Sequence, residues 1–258
     1  TDTIEKLEAW VTHFPPQALK LAQTFWPGPL TLLLPKKDII PDLVTSGLDT
    51  VAVRVPDHEL TRALLAELDF PLAAPSANPF GYISPTNARH VDDQLGGKIS
   101  YILDGGECKV GVESTIVGFE GDIPTVYRLG GLAVEEIIEV VGEVNLLAHS
   151  SSNPQAPGML KSHYAPRKPL QLKHKSEMEN SGSSDVGYLF FEQPSTVPAS
   201  KHIRVLSRDG NLHEAAHHLF AYLRELDGLP VNEIWAEMVP EIGLGRAIND
   251  RLRRAAAR

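Results

Sequence analysis

The feature that most constrains this chain is an alternation of short strand-like apolar runs with amphipathic helix-like runs, broken once by a stretch that can sustain neither. Between Ala148 and Pro169 the residues Ser150, Ser151, Ser152, Asn153, Pro154, Pro157, Gly158, Pro166 and Pro169 interrupt every period. Serine and asparagine favour local turns, proline lacks an amide proton and glycine is conformationally free. Interleaved strands and helices on either side predict α/β layers, with helices covering the faces of a sheet. The break predicts a first domain over residues 1–147, a linker over 148–169 and a smaller α/β domain over 170–258, and a chain of 258 residues is long enough for two cores.

Ile4, Leu7, Val11 and Phe14 recur at helical spacing, which predicts an opening helix from Thr3 to Phe14, capped by Asp2 or Thr3 and stopped at Pro15-Pro16. A short helix bearing Leu19, Ala22 and Phe25 stops at Pro27-Gly28-Pro29, and Leu30 to Leu34 follows as a strand. Val51, Val53 and Val55 alternate with Ala52 and Arg54 as a second strand, and Asp57 opens the next helix. Further strands are expected at Pro71 to Ala74, Ile99 to Leu103, Ser114 to Phe119 and Thr125 to Leu129, with helices near Thr86 to Leu95 and Ala133 to Val141. Beyond the break, strands at Leu170 to Lys173, Val186 to Phe191, His202 to Leu206 and Glu233 to Met238 and helices at Leu212 to Leu226 and Leu244 to Ala257 imply a small, mainly parallel sheet.

Charge and cysteine content narrow the function. A net charge of −9 argues against broad capture of nucleic acid, which needs a concentrated basic face. Basic residues gather only at Lys161 to Lys168 and Arg246 to Arg258, and Arg251, Arg253, Arg254 and Arg258 read as a solvated helix end, where cations suit the helix dipole. The single cysteine, Cys108, leaves no disulfide framework. With no apolar run of membrane-spanning length and no leader-like start, a cytoplasmic protein is expected.

Several segments carry polar groups suited to ligands. Pro75-Ser76-Ala77-Asn78-Pro79-Phe80-Gly81 sets a hydroxyl and an amide two residues apart at a strand end, where open α/β sheets bind ligands, although the same residues suit a plain turn. In Ser84-Pro85-Thr86-Asn87-Ala88, Ser84 or Thr86 reads as a helix cap, and a helix start also seats phosphate. Val112 to Val117 places Ser114 and Thr115 at a strand start, as ligand contacts or as strand-edge polar groups. Arg128 stands among apolar neighbours ahead of Gly130 and Gly131, which suits a phosphate or a surface ion pair. Arg54 interrupts a strand expected to be buried, and a buried arginine needs a carboxylate partner. The run Pro157 to Pro166 suits either a passive linker or a flap over an anion. His213, His217 and His218 lack the carboxylates or cysteines that complete a metal centre, so no protein metal ligands are predicted.

Taken together, FWPGPLTLLLPK (25–36), VAVRVP (51–56), PSANPFGYISPTNA (75–88), VESTIVGF (112–119), YRLGG (127–131), APGMLKSHYAP (156–166) and GLGRAINDRLRRAA (243–256) resemble, in order, the long two-domain form of the threonylcarbamoyl-AMP synthase family. The resemblance implies a YrdC-like curved α/β domain with a basic concavity, followed by a small Rossmann-like α/β domain. It implies condensation of L-threonine, bicarbonate and ATP to threonylcarbamoyl-AMP and pyrophosphate, with Mg²⁺, for a transferase machinery that modifies a tRNA adenosine. The family's Ser-x-Asn motif falls on Ser76 and Asn78 as catalytic positions, and its Val-Glu-Ser-Thr motif puts Ser114 at threonine, with Arg54 beside it. Arg128, Ser84, Thr86, Thr31 and Tyr164 would serve the nucleotide, and Lys161, His163 and Tyr164 the lid. A Pro-Thr-(Glu/Asp)-Thr-Val-Tyr-Gly-Leu-like segment and the Lys-x-Arg motif that precede these in the family are not found, so the first domain is expected to be N-terminally incomplete. A non-catalytic RNA- or nucleotide-binding module, with at most weak RNA contact, is the alternative, and dependence on threonine separates the two. A carbamoyl-transfer accessory domain is a further rival, marked by dependence on carbamoyl phosphate.

Overall fold

The computed structural model describes residues 1–121, 123–147 and 162–257. In chain order its helices and strands are α1 (Pro16–Phe25), β1 (Leu30–Pro35), α2 (Asp42–Thr45), β2 (Thr50–Val53), α3 (Glu59–Ala66), α4 (Ala88–Leu95), β3 (Thr115–Glu120), β4 (Ile123–Arg128), α5 (Val134–Val141), β5 (Asn145–Leu146), β6 (Leu170–Leu172), α6 (Lys175–Glu179), β7 (Val186–Phe190), β8 (Ile203–Val205), α7 (Leu212–Gly228), β9 (Glu233–Ala236) and α8 (Gly245–Ala256). They fall into two compact units, Thr1–Pro75 with Glu113–Leu160, and Ser76–Val112 with Lys161–Arg258. A reading along the chain does not anticipate that Ser76–Val112 packs with the C-terminal residues.

The first unit is built on a mixed sheet in the order β2-β1-β3-β4-β5. β1 runs antiparallel to β2 and parallel to β3, while β3 is antiparallel to β4 and β4 parallel to β5. Leu30, Leu32 and Leu34 are fully buried, as a continuous apolar strand must be when both faces are covered. α1 turns its Ala18, Leu21 and Ala22 stripe into the same core. The opening helix is shorter than its apolar spacing predicts, a single 3₁₀ segment at Glu5–Ala9 with no side-chain cap. Val11 instead forms a β-bridge with Lys36, so pairing at the end of β1 overrides the helical period.

The second unit holds a four-stranded sheet in the order β6-β9-β7-β8, with every pairing parallel. α7 buries Ala215, Ala216, Leu219, Phe220, Leu223 and Leu226, and each of its leucines and Phe220 contributes about 1.5–3 kcal/mol by leaving water. Gly111, at φ +80°, passes so close to α7 that a Cβ there would lie 2.3 Å from the Ala216 carbonyl oxygen; only glycine allows that approach.

The strands expected at 71–74 and 99–103 are absent, and Leu72, Ile99, Tyr101 and Leu103 are exposed. Alternation marks a segment that can be a strand, but a strand also needs a neighbour for its backbone groups, and among the described residues these segments pair with none. The expected solvated helix end holds at Arg253, which is exposed, but not at Arg251 and Arg254, 0% and 5% exposed, because both lie on the face of α8 that carries the buried Ala247, Ile248 and Ala255; Arg258 lies outside the described residues. No described helix is long and apolar enough to cross a membrane.

Candidate active site

In the first unit three predicted residues meet. Ser114 sits just ahead of β3, which runs parallel to β1 with Thr31 opposite Ile116, so the two hydroxyls come to 2.7 Å of each other. Arg128 ends β4, antiparallel to β3 and opposite the same Ile116. Its Nε donates to the Ser114 carbonyl oxygen at 3.0 Å and its Nη2 to Ser114 Oγ at 3.1 Å. Ser114 and Thr31 are buried while Arg128 is half-buried, so a fixed cation stands beside two ordered hydroxyls. The chemistry of such a set suits an anionic, hydrogen-bonding ligand. The backbone is packed to match: a Cβ on Gly130 would lie 2.3 Å from the Glu113 carbonyl oxygen and 2.4 Å from the Ser114 carbonyl carbon. Gly130→Ala must therefore push Ser114 away from Thr31 and Arg128, and a fall of about tenfold in kcat/KM with a lowered Tm is expected. Wild-type kinetics in that variant would mean the spacing is slack.

Arg54 does not fit the argument made for it. It lies just past β2, at the edge of the sheet, and its side chain is exposed. The demand for a buried partner therefore falls away.

In the second unit Ser76 is exposed and Asn78 half-buried, with the Asn78 amide nitrogen donating to the carbonyl oxygen of Ser76 at 3.0 Å. Asn78 Nδ2 donates to the carbonyl oxygens of Pro79 at 2.9 Å and Tyr82 at 3.1 Å, which settles the amide orientation. Its Oδ1 is buried and accepts no hydrogen bond in the structure, an acceptor held ready for a donor. The next helix is capped neither by Ser84 nor by Thr86: the N-cap of α4 is Asn87, whose Oδ1 accepts from His90 N at 3.0 Å. Thr86, one residue earlier, pairs its hydroxyl with His90 Nδ1 at 3.2 Å, and both Ser84 and Thr86 are buried. Burial and the nearby Arg224 cation hold His90 below the ordinary histidine range.

Residues that the sequence did not single out lock this segment. Tyr82 donates to Asp227 Oδ2 at 2.7 Å, and Lys168 N donates to Asp227 Oδ1 at 3.0 Å. Burial and the Asp227 carboxylate push the Tyr82 phenol up to about 12, so it stays a donor. Arg224 Nε donates to the Ser84 carbonyl oxygen at 3.1 Å, and its Cζ lies 5.1 Å from the centroid of the Tyr82 ring. With partners 140 or more positions apart, no local pattern could have announced these contacts. Of the predicted lid residues, Tyr164 is buried and His163 half-buried, and Lys161 lies outside the described residues.

A family model described as "Telomere recombination", covering Sua5, YciO and YrdC sequences, matches residues 1–130, and one described as "Threonylcarbamoyl-AMP synthase, C-terminal domain" matches residues 132–257. The threonylcarbamoyl-AMP synthase of Bacillus subtilis is 40% identical over 98% of this chain and 77% of its own length. That of Pyrococcus abyssi is 39% identical over 98% and 78% respectively. The crystal structure of P. abyssi Sua5 complexed with L-threonine matches with a TM-score of 0.86 at 39% identity, across 98% of this chain and 78% of that one.

Proposed function

Because the chain belongs to the threonylcarbamoyl-AMP synthase family, we propose that the protein makes threonylcarbamoyl-AMP and pyrophosphate from L-threonine, bicarbonate and ATP. One observation carries the reading: Arg128 Nη2 stands 3.1 Å from Ser114 Oγ. With Arg128 as the nucleotide contact and Ser114 as the threonine contact, the two substrates meet at one point. Threonine's amine takes up bicarbonate to give the carbamate and water, and a carbamate oxygen then attacks the α-phosphorus as pyrophosphate leaves on the opposite side. No covalent nucleophile from the protein is required, so positioning and charge neutralisation supply the catalysis. Arg128 offsets charge on the phosphates, while Ser114 and Thr31 orient threonine and its adduct. The open Oδ1 of Asn78 is suited to accept from a substrate N–H or O–H, with Ser76 beside it in sequence. Ser84, Thr86 and Tyr164 belong to the nucleotide side, and His163 and Lys161 to the lid.

Mg²⁺ enters this reading as the counterion of ATP. Among the described residues no group of three or more His, Cys, Asp or Glu could hold a metal ion, and in this reading Mg²⁺ is held through phosphate oxygens and water. The product would serve a cytoplasmic transferase machinery that modifies tRNA adenosine. The test is pyrophosphate release from ATP and bicarbonate with and without L-threonine. Release that requires threonine is expected; nucleotide binding with no threonine-dependent release would leave a binding module, and dependence on carbamoyl phosphate would point to carbamoyl transfer.

A further inference from the structure

The geometry points to Arg251 as a positioning residue: from α8 it holds Tyr164 in a left-handed backbone conformation, and Tyr164 with its neighbours fixes the loop that carries Ser76 and Asn78. The inference rests on the function proposed above and adds a role for the C-terminal helix in it.

Arg251 is fully buried, and burying a guanidinium is costly unless its charge is answered. Its Nη1 donates to Asp250 Oδ2 at 2.6 Å, and the same carboxylate receives Arg254 Nε at 3.0 Å. The guanidinium carbon then lies 4.9 Å from the centroid of the Tyr164 ring, a desolvated cation–π contact. Apolar side chains would fill such a core as well or better, so stability alone gives little reason for a charged network there.

Tyr164 is what the network grips. It is 2% exposed and has a φ of +62°, a region that is strained for a bulky side chain and persists only where surroundings impose it. Phe220 of α7 stacks on its ring at 5.5 Å. The backbone is tied on both sides: His163 N donates to the Arg254 carbonyl oxygen at 3.3 Å, and Ala165 N donates to that of Gly81 at 2.9 Å. The His163 ring meets Phe80 edge-on at 5.7 Å. Phe80 and Gly81 directly follow Asn78-Pro79, so the left-handed turn at Tyr164 aims the Ala165 amide at the loop that presents Asn78. Released from Arg251, Tyr164 can relax to ordinary φ, and that amide turns away from Gly81.

The test uses hydrogen exchange and steady-state kinetics on Arg251→Met, Arg251→Lys and Leu252→Ala. Leu252 is equally buried on α8 and serves as the control for general destabilisation. Arg251→Met is expected to speed exchange of the His163 and Ala165 amides at least tenfold while β7 and β9 stay protected, and to lower kcat/KM about tenfold. Arg251→Lys, which keeps the charge without the planar fork, should fall between; should Arg251→Met not fold, it carries both readouts. Leu252→Ala should lower Tm yet leave both readouts within about twofold. Combined with Tyr164→Ala, Arg251→Met should add no further kinetic loss, because both act through one contact. Multiplicative losses, unchanged exchange at 163–165, or a Leu252→Ala variant with the same kinetic loss would each overturn the proposal. Absence of threonine-dependent release from the unsubstituted protein would sink the enzymatic reading instead, and the exchange data would still decide whether Arg251 holds Tyr164.

Discussion

Arg128→Ala is expected to lower threonine-dependent pyrophosphate release by about 10²–10³-fold with little change in Tm. In the proposed function the guanidinium would supply a charge beside the reacting groups, and it holds Ser114 through that residue's carbonyl and hydroxyl oxygens. Removing one preorganised donor from such a site costs about 2.7–4 kcal/mol of transition-state stabilisation. Little stability should be lost, since Arg128 is only half-buried and a truncation at such a position away from the core is usually mild. Arg128→Lys should not restore the rate, because an ammonium cannot replace two donors in a planar fork. Steady-state kinetics beside a thermal melt make the comparison. A loss smaller than about tenfold would place the chemistry elsewhere and remove the main support for the substrate meeting point.

Asn249→Ala should destabilise the second unit by about 2–5 kcal/mol. Asn249 is fully buried on α8, and its side-chain amide mimics a strand neighbour for one residue: Oδ1 accepts from Val239 N at 2.9 Å and Nδ2 donates to the Val239 carbonyl oxygen at 2.7 Å. Alanine would leave a buried donor and a buried acceptor unsatisfied, together with a small void. Asn249→Asp should fare no better, since it sets a carboxylate oxygen against the Val239 carbonyl in place of a donor. Denaturant unfolding followed by the fluorescence of Trp235, in β9 of the same unit, reads the effect. A loss below about 1 kcal/mol would mean that water or a local shift satisfies Val239.

Local chemistry was enough for the α/β class, most elements and the family. The apolar run that became β1, the alternation that became β2 and the long helical period of α7 were legible because 2-fold and 3.6-fold spacing are properties of neighbouring residues. Ser114 and Arg128 were nameable for a similar reason, since hydroxyls at a strand start and an arginine ahead of two glycines are local patterns, whereas Thr31 was named only through the family resemblance. That the three touch depends on β1, β3 and β4 being neighbours, which is a matter of sheet order.

The misses share a cause. Pro71 to Ala74 and Ile99 to Leu103 have the composition of strands, but strand formation is decided by a partner, which no stretch of sequence displays about itself. Arg54 and Arg251 were assigned opposite environments from those they occupy, one exposed at a sheet edge and the other buried in α8. A charge carries no record of which side of its element will face a core. Tyr82 with Asp227, Arg224 with Ser84 and Arg251 with Tyr164 each join residues more than 80 positions apart. Amino-acid order dictates what each segment can become, through sterics, turns and apolar period. Which segments meet, and so which charges are buried and which hydroxyls share a ligand, follows only once the two cores have closed, because burial is a property of the assembled surface.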